Sequence, residues 1–147
     1  MAPRIVMLVG WVIARSMGLT GMWCQADSWS DALRVALAAM FVFTAVSHFH
    51  PRTRPDLIRM VPPSLPAASL LVTATGVFEL VGAVGLLVPR AAVTAAYGLA
   101  ALLAAMFPAN VHAARAGLIV AGRRATPLLW RLPLQVFWIA SLCWAAR

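Results

Sequence analysis

The hydrophobic pattern divides the chain into four long apolar segments separated by short polar breaks, at about 29–49, 68–88, 92–114 and 127–145. A helix needs about 20 apolar residues to cross about 30 Å of hydrocarbon, so each segment predicts a membrane-spanning helix. The break at Pro89 and Arg90 is short enough to force the second and third spans antiparallel. The pattern therefore predicts an all-α fold, a membrane four-helix antiparallel bundle.

A further apolar stretch, 5–23, precedes the bundle and is interrupted by Arg15. It has three interpretations: a spanning helix, an interfacial helix or the hydrophobic region of a signal peptide. Because no small-x-small cleavage site follows, we expect a retained helix, whether spanning or interfacial. The predicted organisation is an N-terminal helical extension, 1–28, followed by a membrane domain, 29–147.

Capping residues mark two helix starts. Ser28 and Asp31 have the spacing of a capping pattern, in which the hydroxyl satisfies an orphan amide and the acid favours the helix N-terminus. Thr126 followed by Pro127 is typical of an N-cap and a first helical residue. These positions predict where the first and fourth spans begin.

Proline also shapes the chain inside and between the spans. Pro108 interrupts the third span and frees a carbonyl near Ala104, which Asn110 could satisfy. The segment 51–66 is too polar to span and ends in a proline-rich run. A helical turn from Pro55 is expected there, with its apolar side on the bilayer at Leu57, Ile58 and Met60. We expect this segment to form a rigid interfacial cap over the bundle.

Composition places the protein in the membrane. Of 147 residues, 63% are hydrophobic and 11% charged, and the mean hydropathy is +0.87, which is outside the range of soluble domains. The net charge of +8 comes from arginines between apolar runs, where they set orientation and meet anionic headgroups of the lipid bilayer. No nucleic acid partner is expected. The arginines of 51–66 and 115–126 predict a cytoplasmic location for these loops in a multi-pass protein of the bacterial cytoplasmic (inner) membrane.

Two cysteines, Cys24 and Cys143, lie far apart in sequence and near the same predicted membrane face. They form no CxxC pair, so no dithiol redox centre is predicted. A disulfide and two unpaired thiols remain as alternatives, and the unpaired state is favoured.

One acidic residue, Glu79, lies in the middle of the second span. A charge at this depth costs about 2.5 to 3.5 kcal/mol, so it needs a partner, a proton or a watery cavity. The small residues around it share its helix face and place it inside the bundle; they are Thr75, Gly76, Gly82 and Ala83. Glu79 is either a protonated side chain that bonds neighbouring helices or a proton donor and acceptor.

The antiparallel topology gathers further polar residues near one membrane face. Glu79 and His48 are the catalytic candidates, and His48 is expected to face inward more than its neighbour His50. The candidate ligand-binding residues are Asn110, His112, Arg131, Gln135 and Trp138. Arg131 either pairs with Glu79 or extends to the headgroups, and Trp138 has the alternative role of an interface anchor.

The histidines of this polar cluster suggest two alternative cofactors, a metal ion and haem. His48, His112 and Glu79 would make a two-histidine, one-carboxylate metal set, but no spacing such as His-x-x-x-His supports it. Haem through one axial histidine is the other alternative. Neither metal nor haem is expected, whereas a quinone is compatible with the cluster.

Several short motifs, taken together, resemble the DoxX-like family of small bacterial membrane proteins over about residues 30–145. They are Ser47-His48-Phe49, Val61-Pro62-Pro63-x-Leu65-Pro66, Thr75-Gly76-Val77-Phe78-Glu79-Leu80-x-Gly82, Phe107-Pro108-Ala109-Asn110 and Arg131-Leu132-Pro133-Leu134-Gln135. The resemblance implies a four-helix membrane bundle. For some relatives it also implies an association with oxidoreductase systems, one of them quinone-linked.

Three functions compete at this point. The first is a membrane component of an oxidoreductase system that binds a lipophilic small molecule, quinone- or isoprenoid-like, in an intramembrane polar pocket. The second is a stand-alone enzyme doing acid/base chemistry on a lipophilic substrate: isomerisation, cyclisation or epoxide opening. The third is a non-catalytic structural subunit. A membrane protein partner or a homo-oligomer is compatible with all three.

Overall fold

The computed structural model describes residues 2–19, 28–120 and 122–147. Helices dominate this part of the chain, with one two-residue antiparallel ladder, Ile119–Val120 with Arg123–Arg124. The helices are α1 (Ala2–Leu19), α2 (Trp29–Phe49), α3 (Arg54–Met60), α4 (Ala68–Leu87), α5 (Ala92–Ala105), α6 (Phe107–Arg115) and α7 (Leu128–Ala145). The fold is an all-α bundle, as the hydrophobic pattern predicted.

Four helical segments are long and apolar enough to cross a membrane: Trp29–Phe49, Ala68–Leu87, Ala92–Arg115 and Leu128–Ala145. The third segment consists of α5 and α6 together. Large apolar side chains cover the outer surface, among them Leu70, Phe78, Val81 and Val84, each at least 60% exposed. A surface of this kind is stable in lipid and not in water. The protein is therefore a multi-pass membrane protein.

The N-terminal helix α1 packs along α2. Gly10 lies against Ala36, with 3.6 Å between its ideal Cβ position and the Ala36 Cα, and Ala14 packs on Ala32. Because the numbers rise on one helix as they fall on the other, the two helices are antiparallel. The apolar part of α1, Met7–Ser16, is shorter than the four candidate spans. Whether α1 crosses the membrane stays a prediction.

The capping predictions hold to within one residue. The Ser28 hydroxyl accepts a hydrogen bond from the Asp31 amide at 3.0 Å, which confirms the predicted start of α2. Pro127, not Thr126, is the N-cap of α7, and the helix begins at Leu128. Helix ends commonly differ by one or two residues from sequence-based boundaries.

Pro108 breaks the third span as expected, but the broken backbone finds partners other than the predicted one. The Met106 amide donates to the Leu102 carbonyl at 2.9 Å. The neighbouring Leu103 carbonyl accepts from Gln135 Nε2 at 2.6 Å. A side chain of α7 thus caps the end of α5 and leaves Asn110 out of this task.

The small residues of α4 allow two neighbours to approach closely. A Cβ added at Gly82 would lie 2.5 Å from the Leu99 side chain, and one added at Gly85 would lie 2.7 Å from the Ala95 Cβ. These contacts pack α4 against α5, while Gly76 packs it against α2. Glycine at these positions replaces side-chain volume with close backbone approach, which is typical of membrane helix packing.

Candidate functional site

The candidate site begins where α2 crosses α4. A Cβ at Gly76 would lie 2.7 Å from the Cβ of His48 and 2.9 Å from the Phe49 ring. The missing side chain therefore lets the end of α2 lie directly on α4. This approach brings His48 beside the face of α4 that carries Glu79.

Glu79 is 3% exposed and lies inside the bundle, as the small-residue face of α4 predicted. The Thr44 hydroxyl donates to Glu79 Oε2 at 3.0 Å, and His48 Nε2 lies 3.7 Å from the same oxygen. Both groups come from α2, four residues apart and therefore on one face of that helix. The carboxyl is thus held by one neighbouring helix, with no lipid contact.

His48 is 5% exposed, and its ring has a defined orientation. Nδ1 lies 3.0 Å from the Val72 carbonyl oxygen and 3.1 Å from Thr75 Oγ1. A carbonyl can only accept, so Nδ1 carries the hydrogen. Nε2 is then the nitrogen that gains or loses a proton, and it faces Glu79. The imidazole and the carboxyl are therefore close enough for a charge interaction, but at 3.7 Å they form no hydrogen bond.

The Thr44 hydroxyl is suited to both forms of this pair. Besides the contact with Glu79, Thr44 Oγ1 lies 3.0 Å from the Phe41 carbonyl oxygen. When Glu79 is a carboxylate, Thr44 donates to it; when Glu79 carries the proton, Thr44 can donate to Phe41 and accept from the carboxyl. No backbone movement is needed for the exchange.

A pocket of about 180 Å³ adjoins the pair. Its polar lining comes from His48, Thr75 and Asn110, and the rest of the wall is apolar: Leu57, Met60, Val61, Leu65, Leu71, Val72, Ala105, Met106 and Ala109. The lining combines a mostly apolar surface with a few convergent polar groups, which is the usual composition of a small-molecule site. Glu79 lies one helical turn beyond Thr75 and reaches the pocket through His48.

The segment 51–66 roofs this pocket, but its orientation differs from the prediction. Met60 is 6% exposed and lines the pocket together with Leu57, whereas the sequence placed both on the bilayer. The reason is that both ends of α3 are bound to the bundle, so that its apolar side faces the pocket and not the lipid. The expectation of a cap over the bundle is met.

Arg54 holds the first end of the roof, a role that the sequence did not reveal. Its guanidinium donates to the His48 carbonyl at 3.0 Å, to the Thr73 hydroxyl at 2.9 Å and to Ser69, at 3.0 Å to Oγ and 3.2 Å to the carbonyl oxygen. It therefore ties the end of α2 to the start of α4. The sequence identified Arg54 only as a charge, because Ser69 and Thr73, two of its three partner residues, lie 15 and 19 positions away.

His112 holds the second end. Its Nδ1 lies 3.1 Å from the Met60 carbonyl oxygen, at the last residue of α3. A carbonyl can only accept, so the imidazole donates. This predicted ligand-binding residue thus fastens the roof to α6 and is absent from the pocket wall.

The other predicted binding residues are distributed unevenly. Asn110 lines the pocket. Gln135 caps Leu103, and Trp138 packs against the core and meets the Phe137 ring edge-to-face at 5.1 Å. Arg131 is half-buried, and within the described residues Glu79 has its ion-pair contact with His48, not with Arg131.

Thr44 is a residue of the site that is not among the sequence-based candidates, although its position in the sequence indicates an inward-facing side chain. It lies one turn before His48 on the same face of α2, and an i, i+4 polar pair inside an apolar span indicates an inward polar face. His50, by contrast, is exposed, in agreement with the expectation that His48 is the inward histidine.

The described residues also bear on a metal site and on the two cysteines. Across residues 2–19, 28–120 and 122–147, no three His, Cys, Asp or Glu side chains gather as a metal-binding group. Cys143 is half-buried in α7, and Cys24 lies outside the described residues. The choice between a disulfide and unpaired thiols therefore stays a prediction.

Comparison with known proteins identifies a family but no function. The profile of a domain of unknown function, DUF8561, matches residues 37–147. No curated protein matches the chain, and no solved structure matches it. The matched range includes α3 to α7 and the part of α2 that carries Thr44 and His48.

Proposed function

Since the chain belongs to the DUF8561 family, whose function is unknown, we propose its function from the site: it binds a lipophilic molecule by a compact polar head in the pocket beside His48. The observation that carries the proposal is the pairing of His48 with Glu79, 3.7 Å apart, at the edge of a pocket that His48 also lines. A buried acid beside a base that lines a cavity is typical of functional sites.

The polar groups divide into two tasks. Asn110 and Thr75 line the pocket, where an amide and a hydroxyl can hydrogen-bond to a carbonyl or hydroxyl head. His48 connects the pocket with Glu79, so the pair can take up or release one proton as the head changes its protonation. A quinone-like head fits both tasks because its oxygens accept hydrogen bonds in one state and carry protons in the other.

The setting of this function is also proposed. A quinone-binding membrane subunit of an oxidoreductase system, in the bacterial cytoplasmic membrane, agrees with the resemblance to DoxX-like proteins. In such a system the partner supplies the electrons and this chain holds the quinone and exchanges protons with it. A membrane protein partner or a second copy would then adjoin the bundle.

The experiment is mass spectrometry of the small molecules that accompany the protein into lipid nanodiscs. We expect a lipophilic molecule with the wild type, and its loss from Asn110→Leu and from His48→Gln, which remove polar groups of the pocket. Ser141→Ala is the matched control, since Ser141 is a buried polar residue of α7 whose hydroxyl bonds to the Phe137 carbonyl. Equal ligand content in all four proteins would contradict the proposed site.

The same two buried groups, His48 and Glu79, favour a second function: acid/base catalysis on a lipophilic substrate without a partner. One group would remove a proton from the substrate and the other would return one, as in the shift of a double bond. Turnover of added lipophilic alkenes by the purified wild type, lost in Glu79→Gln with folding intact, would favour the enzyme. A copurified molecule that is bound and never converted would favour the binding subunit.

A further inference from the structure

A second hollow lies on the outer surface between α4 and α5. This groove, of about 580 Å³, is apolar apart from one threonine: its walls are Phe78, Val81, Gly82, Gly85, Ala91, Thr94, Ala95, Gly98, Leu99, Ala101, Leu102 and Ala105. It lies within two of the candidate membrane spans, so its depth is that of the hydrocarbon tails.

The groove continues the pocket. Ala105 lines both hollows. On α4, Leu71 and Thr75 belong to the pocket, and Phe78, Gly82 and Gly85 belong to the groove. These positions alternate by four and three residues, so they form one straight stripe along a single helix face. Pocket and groove therefore follow one another along the same face of α4, with Ala105 in the wall of both.

The shape of the groove favours a narrow, linear occupant. A Cβ added at Gly98 would meet nothing within 4 Å, so the floor is open there. Phe78 and Val81, 60% and 63% exposed, stand on one side. From Ala105 to Ala91 the groove follows α5 for about 21 Å, at 1.5 Å per residue. This length matches one extended hydrocarbon chain.

We propose that the groove holds the hydrocarbon tail of the molecule whose polar head occupies the pocket, which makes the ligand class a long-tailed lipid with a compact oxygen-bearing head. The inference rests on the proposed function and adds the tail as a specificity determinant. Tail binding from a bilayer gains little from leaving water. It gains from close packing against the walls, and bulk in the groove would remove that gain.

The test compares two probes in nanodiscs, with each probe given as a mole fraction of the lipid: a tailless benzoquinone and the same head with a farnesyl tail. The wild type is expected to bind the tailed probe about tenfold more tightly. Gly98→Leu adds side-chain bulk to the groove from a position where the added Cβ meets nothing within 4 Å. It is expected to abolish the difference and to leave the affinity for the tailless probe unchanged. Ala104→Leu is the control, because it adds apolar bulk to an exposed position of α5 outside the groove.

The outcomes separate the two proposals. If both probes bind the wild type equally, or if Gly98→Leu keeps the full preference for the tailed probe, ordinary bilayer lipid fills the groove and the tail assignment is overturned while the pocket stands. If neither probe binds the wild type, the proposed function fails, and the groove inference fails with it. Thermal unfolding of both variants checks that the bundle is intact.

Discussion

Gly76 and His48 are in direct contact across two helices: a Cβ at position 76 would lie 2.7 Å from the Cβ of His48. The contacts of the His48 ring with α4 depend on this approach. It places the His48 ring between the Val72 carbonyl and Glu79. A backbone position with no chemistry of its own therefore determines the geometry of the acid/base pair.

Gly76→Ala is expected to destabilise the protein by about 1 to 3 kcal/mol, because the added methyl must push α2 away from α4. His48 and Phe49 would both have to move. Thermal unfolding in detergent measures the loss. Gly98→Ala is the matched control, since its added Cβ meets nothing within 4 Å; equal melting temperatures for the two variants would contradict the close contact.

Glu79→Gln is expected to fold, with a free energy of unfolding within about 1 kcal/mol of the wild-type value. The amide oxygen can still accept the Thr44 hydrogen bond. The amide cannot take up or release a proton. The variant should therefore lose ligand protonation or turnover, whichever applies, while its unfolding curve is nearly unchanged. A free energy of unfolding lowered by several kcal/mol would instead show that Glu79 holds the helices together. This is the other alternative from the sequence, a protonated side chain that bonds neighbouring helices.

Arg54→Ala is expected to lower the free energy of unfolding by about 2 to 4 kcal/mol. The guanidinium donates to the His48 carbonyl, to Ser69 and to Thr73, and hydrogen bonds from charged groups are worth about 1.5 to 3 kcal/mol each. Arg54→Lys should recover little because an ammonium group cannot fork to these partners. Chemical denaturation in detergent measures both. Arg52→Ala is the control: Arg52 is exposed, and a loss similar to that of Arg54→Ala would refute the clamp.

Gln135→Leu is expected to lower the free energy of unfolding by about 1 to 3 kcal/mol, because it leaves the Leu103 carbonyl without its side-chain donor. That donor matters because Pro108 interrupts the helix. In a Pro108→Ala background, α5 and α6 can join into one regular helix whose own amides satisfy the carbonyls. We therefore expect Gln135→Leu to cost less there. A double-mutant cycle measures the coupling, and additive losses would show that the cap does not depend on the break.

How much of the site the sequence predicts depends on the range of the interactions. Glu79 was placed inside the bundle by its small neighbours one turn away, and His48 was chosen over His50 for the same site. The contacts of Arg54 with Ser69 and of Gln135 with Leu103 could not be predicted, because these partners lie 15 and 32 positions away in sequence. Met60 was placed on the wrong side because the pocket beneath α3 exists only after packing.

The sequence by itself determined the four long candidate spans, their antiparallel order, the cap at Ser28 and the buried carboxyl, since each follows from hydropathy or from contacts within one helical turn. Only the tertiary structure decided which polar groups meet. It joined Thr44 and His48 to Glu79 and assigned His112 to the roof. It also placed the groove beside the pocket, with Ala105 in the wall of both. These relationships depend on how closely and at which height neighbouring helices pack, and small residues such as Gly76 permit that packing without specifying its partner.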